Sequence, residues 1–263
     1  MPELDPTAYA RLAAEVRALL DLDLAQYKPE QVWRRVHAFA RANGLDGWAA
    51  LTTRARREPA FRDRFRDMLT INVSEFFRNP EAWDFLRDHV LTSLLRGRLR
   101  LRAWSAGCSI GCEPYSLVML MQESAPGVLL DLLATDIDPT ALERARAGRY
   151  SEAQMIGVSA ARRARCFVQS GPDWEVRPEL RVRARFRRHD LLRDPAEKGC
   201  DLTICRNTVI YFTESAKTDL FGRLAASLRP GGVLFIGATE TIGDPVRFGL
   251  RALGPSFYER TLA

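Results

Sequence analysis

Little in this sequence supports chemistry that runs through a metal or a catalytic base. The 263 residues hold three histidines, His37, His89 and His189, too scattered to suggest a metal site or a catalytic triad. Each reads as a surface or packing residue. The five cysteines form no CxxC pair, and an odd number suits a reducing compartment better than a disulfide scaffold. Cys108 and Cys112 also lack zinc spacing. A Gly-x-Ser-x-Gly elbow is missing, which argues against a hydrolase, and no glycine-rich loop ends in Gly-Lys-Ser/Thr, which disfavours a phosphate cradle. No apolar run reaches the roughly 18 residues that cross a bilayer. The first residues, Met1-Pro-Glu-Leu-Asp, lack the basic-then-apolar order of a signal peptide. A cytoplasmic protein is expected, with no bound metal and no membrane insertion.

What is present is ordinary globular material. Apolar content of 46% and charged content of 27% fit a chain that buries a substantial core as one large domain, alone or with a smaller companion. The net charge of +6 is uneven. Residues 28–66 carry ten Lys/Arg against four Asp/Glu, and residues 162–188 carry nine arginines against three acids. Two basic patches of this kind could meet nucleic acid, a membrane surface or an acidic protein, and charge alone does not choose among them.

The first seventy residues read as short helices. Asp5-Pro6 supplies a cap and a first-turn proline, with Leu12, Val16 and Leu19 as the apolar stripe. Pro29 opens a second helix that buries Val32, Val36 and Phe39; its other side carries Arg34, His37 and Arg41, and Asn43-Gly44 ends it. Asp46 and Pro59 mark two more starts, and Pro80 another beyond a junction at 71–80. Strand and helix patterns then alternate. Strands are expected near 99–104, 129–135, 200–205 and 233–237, with helices near 114–123, 139–147 and 214–228, an α/β pattern with a mainly parallel sheet. Residues 150–188 interrupt it. Trp174, Val176, Val182, Ala184 and Phe186 alternate with polar residues, so a small antiparallel β excursion is expected over 167–188.

The stretch around which the rest is organised is Ala103-Trp-Ser-Ala-Gly-Cys-Ser-Ile-Gly-Cys-Glu-Pro-Tyr-Ser116. It reads as strand, glycine-containing turn and helix, the place where α/β proteins seat nucleotide-like ligands. Gly107 and Gly111 allow a sharp turn and a close approach to a ligand, and Pro114 suits the first helical turn. Asp136 ends the next strand 25 residues after Gly111, where an acid typically takes ribose hydroxyls. The spacing is too wide for a dinucleotide fingerprint. Glu113 has a rival reading as a first-turn acid favoured by the helix dipole, and Asp136 as a helix cap, although Asp138 is better placed for capping. Farther on, Arg206-Asn207 follow a buried strand at its carboxyl end, and Tyr211 lies close behind.

These segments together are similar to the CheR-type chemotaxis receptor methyltransferases. The resemblance runs nearly end to end, through Tyr27-Lys28, Arg34-Arg35, Leu69-Thr-Ile-Asn-Val-Ser-Glu-Phe-Phe-Arg78, Trp104-Ser-Ala-Gly and Gly111-Cys-Glu-Pro-Tyr-Ser116. It continues through Thr135-Asp-Ile-Asp138, His189-Asp-Leu-Leu192, Cys205-Arg-Asn-Thr-Val-Ile-Tyr-Phe212 and Arg229-Pro-Gly-Gly232. It implies an α/β class I S-adenosylmethionine-dependent fold, Rossmann-like. An all-α receptor-facing domain over 1–70 and a methyltransferase domain over 71–263 are implied, the latter with a subdomain inserted at 150–188. Asn72, Ser74 and Arg78 would line the cofactor and active site, together with Gly107. Glu113 and Asp136 would contact S-adenosylmethionine, Asp136 at the ribose. Asp190 and Leu191 would lie beside the adenine, and Arg206 and Asn207 beside the methionine part. Arg78 and Tyr211 would flank the transferred methyl and the incoming glutamate, while Arg34, Arg35 and Arg41 would face the acidic methylation helices of a chemoreceptor. The expected products are glutamate methyl esters and S-adenosylhomocysteine, from a monomer that docks no receptor-tail pentapeptide.

The departures are Cys112, where the family commonly has a second acid, and Ser74, where threonine is frequent. The chemistry agrees with what is missing: a glutamate with pKa near 4.3 is already ionised at neutral pH and needs no general base. Two rivals come from other classes. A nucleic-acid methyltransferase would bind its substrate with steep salt dependence and place aromatics in the basic patches, which contain few. A non-catalytic cofactor-sensing scaffold would have no need of Arg78 and Tyr211.

Overall fold

The computed structural model describes residues 3–70 and 74–261. The chain forms two compact units, one of residues Met1–Asn72 with Tyr211–Lys217, the other of Val73–Ile210 with Thr218–Ala263.

The first unit contains α1 (Pro6–Leu20), α2 (Pro29–Ala42), α3 (Gly47–Arg57) and α4 (Pro59–Thr70). Asp5 caps α1 by accepting from the N–H groups of Thr7 and Ala8, and prolines fall in the first turns of α1 and α2, where their missing N–H costs nothing. The helices bury Leu12, Val16, Val36, Leu51, Phe61 and Phe65 completely or nearly so. Phe39, on α2, meets Phe61 and Phe65 of α4 at ring distances of 5.6 and 6.1 Å. Residues 211–217 join this unit: the Lys28 N–H donates to the Tyr211 carbonyl at 3.0 Å, and the rings of Tyr27 and Phe212 meet edge-on at 5.1 Å.

The second unit opens with α5 (Pro80–Phe85), which continues through a π-helical segment (Leu86–Leu91) into α6 (Thr92–Leu94). Then follow β1 (Arg100–Ala106), α7 (Cys112–Ser124), β2 (Leu129–Asp136), α8 (Pro139–Ala147), β3 (Arg149–Ser151), α9 (Ala160–Cys166), β4 (Phe167–Ser170), β5 (Asp173–Val176), α10 (Pro178–Arg181), β6 (Ala184–Arg188), β7 (Cys200–Cys205), α11 (Glu214–Ser227, counted in this unit from Thr218 on), β8 (Leu228–Ile236), β9 (Leu250–Gly254) and β10 (Phe257–Arg260). Seven strands make one sheet in the order β6-β2-β1-β7-β8-β10-β9; its first five strands run parallel, and β10 is antiparallel to both its neighbours. β1 and β2 begin with alternating exposed and buried residues and become buried toward their carboxyl ends, whereas β7 is covered on both faces. All six residues of β7 are buried. Among the described residues no helix is long and apolar enough to cross a membrane.

Two expectations change. The antiparallel excursion is confined to β3, β5 and β4, in that order, while β6 leaves it and pairs in parallel with β2. Alternation at Ala184 and Phe186 signals a strand with one buried face, but it does not say which sheet supplies the neighbour. The Phe186 ring packs against the Tyr115 ring of α7, which brings β6 to the edge of the large sheet. The hairpin β9–β10 is also additional to the expected strands. It turns at Gly254-Pro255-Ser256, with Ser256 at φ 70°, and its Phe257 stacks on Phe235 of β8 at 4.3 Å. The expected Arg229-Pro-Gly-Gly232 turn is present as a bulge. Leu228 pairs with Cys200 and Val233 with Leu202, so residues 229–232 loop out between two paired steps.

Candidate active site

From β1 the sheet grows first to β2 and β6, then returns to β7 on the other side of β1. The strand order therefore reverses between β1 and β7, and the crevice beyond their carboxyl ends is where open α/β sheets bind ligands. The turn after β1 folds back tightly: the N–H groups of Gly107 and Cys108 both donate to the Thr135 carbonyl, at 2.8 and 2.9 Å. Gly107 has φ 83°, and a Cβ there would stand 2.6 Å from the Thr208 hydroxyl. Gly111, at φ 91°, precedes α7, and a Cβ on it would meet the Ala145 side chain at 2.9 Å. Both positions require glycine for conformation and for space.

Asp136 ends β2 and lies buried at the crevice. Its Oδ2 accepts from the Ser109 N–H at 2.7 Å and its Oδ1 from the Asp138 N–H at 3.0 Å, so both turns bordering it are fixed by one carboxylate. Burial pushes its pKa up to about 6, against the pull of those backbone donors. Asp138 caps α8 by accepting from Thr140 and Ala141, which leaves Asp136 free of that duty. Glu113 sits in the first turn of α7 and accepts from the Ser105 hydroxyl at 2.7 Å. Burial raises it to about 7, with Arg206 pulling the other way.

Arg206 and Asn207 follow β7 directly. Arg206 is buried; its Nη2 donates to the Arg78 carbonyl at 2.7 Å and to Asn79 Oδ1 at 2.9 Å, while its Nε has no partner. Its guanidinium carbon lies 4.6 Å from the Phe235 ring centre, and burial lowers its pKa, opposed by nearby Glu113. Asn207 takes a left-handed φ of 57°, which asparagine tolerates better than most residues. Arg78 is half-buried, and its positive charge acts on Arg206. Ser74 hydrogen-bonds the Cys112 thiol, whose pKa burial raises to about 12. The neutral Cys112 is fully buried, so the position that differs from the family pattern holds a packing residue. His189 reaches the same edge. Its N–H donates to the Asp136 carbonyl at 2.9 Å, and Asp190 and Leu191 follow, with the Asp190 carboxylate accepting from the Leu192 N–H at 2.9 Å.

One unit thus brings together Ser74, Arg78, Gly107, Glu113, Asp136, Asp190, Leu191, Arg206 and Asn207. Asn72 lies outside the described residues. Tyr211 belongs to the helical unit, and so do Arg34, Arg35 and Arg41. Arg34 and Arg41 are exposed on α2. Arg35 turns inward instead: its guanidinium donates to the Met68 carbonyl, burial lowers its pKa, and it lines a small recess with Tyr27, Leu69 and Tyr211. Sequence reading also passes over Glu240, a buried carboxylate after β8. A lone acid following an apolar strand was its only signal.

The crevice offers a left-handed glycine turn, an acid at the ribose position, an acid at a helix start and a buried guanidinium with an unpartnered nitrogen. That set fits an adenosine-type cofactor carrying an amino-acid tail. Known proteins agree. Residues 72–252 match the family described as CheR methyltransferase, SAM binding domain, and residues 7–70 match CheR methyltransferase, all-alpha domain. The chain is 43% identical over 262 residues to the chemotaxis protein methyltransferase of Listeria monocytogenes, covering 99% of this chain and 100% of that one. It is 35% identical to chemotaxis protein methyltransferase 1 of Pseudomonas aeruginosa, over 84% of this chain and 85% of that one. The chain belongs to the CheR family of chemotaxis methyltransferases, and S-adenosylmethionine is its cofactor.

Proposed function

We propose that the chain transfers the methyl group of S-adenosylmethionine to glutamate side chains in the cytoplasmic methylation helices of a chemoreceptor. Asp136 takes the ribose hydroxyls, which its two oxygens can accept beside their backbone donors. Asp190 and Leu191 flank the adenine. Glu113, Arg206 and Asn207 hold the methionine part, and Ser74 and Arg78 line the cofactor and active site from the junction, a role the family resemblance also implies for Asn72. Bound there, the cofactor supplies a methyl group on a cationic sulfur. The acceptor carboxylate is already ionised, so the transfer forms one O–C bond, breaks one S–C bond and moves no proton.

The protein's task is then alignment, which can contribute about 7–11 kcal/mol. Arg78 orients the acceptor carboxylate by charge-assisted hydrogen bonds, and Tyr211 completes the acceptor side. Arg34 and Arg41, exposed on α2, attract the acidic receptor helices, with Arg35 bracing that helix from within. The helical domain over 1–70 serves as the receptor-facing domain, the methyltransferase domain spans 71–263, and the inserted subdomain at 150–188 docks no receptor-tail pentapeptide. The protein works as a cytoplasmic monomer.

The observation that carries this reading is a crevice with acids and arginines at cofactor positions in a chain whose full-length relatives are chemotaxis methyltransferases. Incubation with labelled S-adenosylmethionine and receptor cytoplasmic fragments should give base-labile methyl incorporation at glutamate. Arg78→Ala should lose most turnover with its circular dichroism unchanged. Cofactor binding without transfer to any receptor fragment would sink the proposal.

A further inference from the structure

Glu240 is 4% exposed, and its carboxylate accepts three backbone N–H groups from two segments. Its Oε2 accepts from Gly237 at 2.7 Å and from Asn207 at 3.0 Å, and its Oε1 accepts from Val209 at 3.1 Å. Its own N–H donates to the Gly237 carbonyl at 3.0 Å, closing the turn that leaves β8. One side chain therefore ties the end of β8 to the loop that leaves β7, and that loop begins with Arg206 and Asn207.

The space around this clamp is shaped for it. A Cβ on Gly237 would stand 2.6 Å from Glu240 Oε2 and 2.9 Å from the Asn207 nitrogen, so the carboxylate can close on the loop only over glycine. On the far side, the Thr208 hydroxyl donates to the Arg206 carbonyl at 3.2 Å and fills the place a Gly107 Cβ would occupy. The loop is held by β8 and abutted by the turn after β1. Burying a carboxylate is unfavourable, and it pushes the Glu240 pKa up against its three donors and Arg206. A strand end alone does not require such a charge. What the charge secures is the left-handed Asn207 and the residue before it.

We propose that Glu240 is a positioning residue for the cofactor crevice, fixing the Arg206–Val209 loop so that Arg206 and Asn207 meet the methionine part in a preformed arrangement. This rests on the reading that those two residues line that part of the crevice.

Glu240→Gln keeps the side-chain shape but supplies one acceptor oxygen, so at least one of the three N–H groups must face an amide NH2. Calorimetry should show S-adenosylhomocysteine binding weakened roughly tenfold, with the KM for the receptor fragment unchanged. Gly237→Ala should weaken binding similarly from the other side of the clamp, and it serves as the readout if the Gln variant folds poorly. Asn207→Ala tests the underlying reading and should itself weaken binding. Added to Glu240→Gln, it should cost less than it does alone, because both act through one loop. Weakened binding in Asn207→Ala with near-normal binding in Glu240→Gln and Gly237→Ala overturns the positioning role and leaves the reading intact. So does a lowered melting temperature in the Glu240 variant without a change in affinity. Normal binding in Asn207→Ala overturns both.

Discussion

In the crevice, Asp136, Glu240 and Arg206 are buried and Glu113 is half-buried, and each is held by named hydrogen bonds to backbone or neighbouring side chains. On α2, Arg34 and Arg41 stand exposed two helical turns apart. Both regions are charged, yet the charges do different physical work. Buried groups act at low local dielectric in fixed positions, so each is costly to leave unpaired and effective when paired. Exposed arginines act through a screened field, and their contributions are small, additive and salt-dependent. The same sequence thus builds a crevice of fixed, paired charges and an exposed basic helix face, proposed above as the cofactor site and the receptor-facing surface. Single substitutions should separate the two.

The largest effect is expected at Asp136. Asp136→Ala removes the acceptor for Ser109 and Asp138 together, so both bordering turns lose their anchor. S-adenosylhomocysteine affinity should fall by about 100-fold or more in calorimetry; a loss below about tenfold would show that the crevice is not organised by this carboxylate.

Glu113 gives a prediction with opposite signs for stability and binding. Its ordinary value is 4.5, and burial holds it near 7 in the fold. The unfolded chain therefore releases this proton earlier than the folded one, and the ligand-free protein loses stability as pH rises from 4.5 to about 7. Glu113→Gln mimics the protonated acid. At pH 8 it should stabilise the ligand-free protein by roughly 2–3 kcal/mol, with the gain fading toward pH 4.5, while weakening cofactor binding. Equal melting curves at pH 8 would remove the argument from burial.

Arg35 tests where the two regimes divide on a single helix. Because its guanidinium satisfies the Met68 carbonyl from a half-buried position, Arg35→Ala should lower stability by about 1–2 kcal/mol in urea unfolding. Arg34→Ala and Arg41→Ala should leave the urea midpoint unchanged. The smallest effects belong to those two residues: each should raise the KM for the receptor fragment by about two- to threefold at low salt, with little difference at high salt and none in cofactor affinity. A salt-independent change would place them in a fixed, desolvated contact instead.

Much of this was legible in the residues. Pro6, Pro29, Pro59 and Pro80 mark helix starts because a first-turn proline has no N–H to lose, and each of those helices begins where expected. The apolar alternation before Ala103 and the apolar stretches at 129–135 and 200–205 announced strands β1, β2 and β7. Gly107, Glu113 and Asp136 stood out because a tight turn, a helix start and a strand end impose local requirements. The strand Ala184–Arg188 was visible as alternation, but its partner was not, since a period of two reports a buried face and no neighbour. Arg35 and Arg34 looked alike at adjacent positions. Only the packing of α4 against α2 turned one inward.

Chain order and local chemistry therefore determined the two-part organisation, the mainly parallel sheet and the glycine turn after β1, because each is written in the order of elements or in interactions within a few residues. Tertiary structure alone decided that β6 joins the large sheet, that β9 and β10 complete it, and that Glu240 grips the loop carrying Arg206 and Asn207. The first and last depend on hydrogen bonds between segments about 30 residues or more apart, and β10 meets β8 across more than 20, and no local pattern encodes where a distant backbone N–H will need an acceptor.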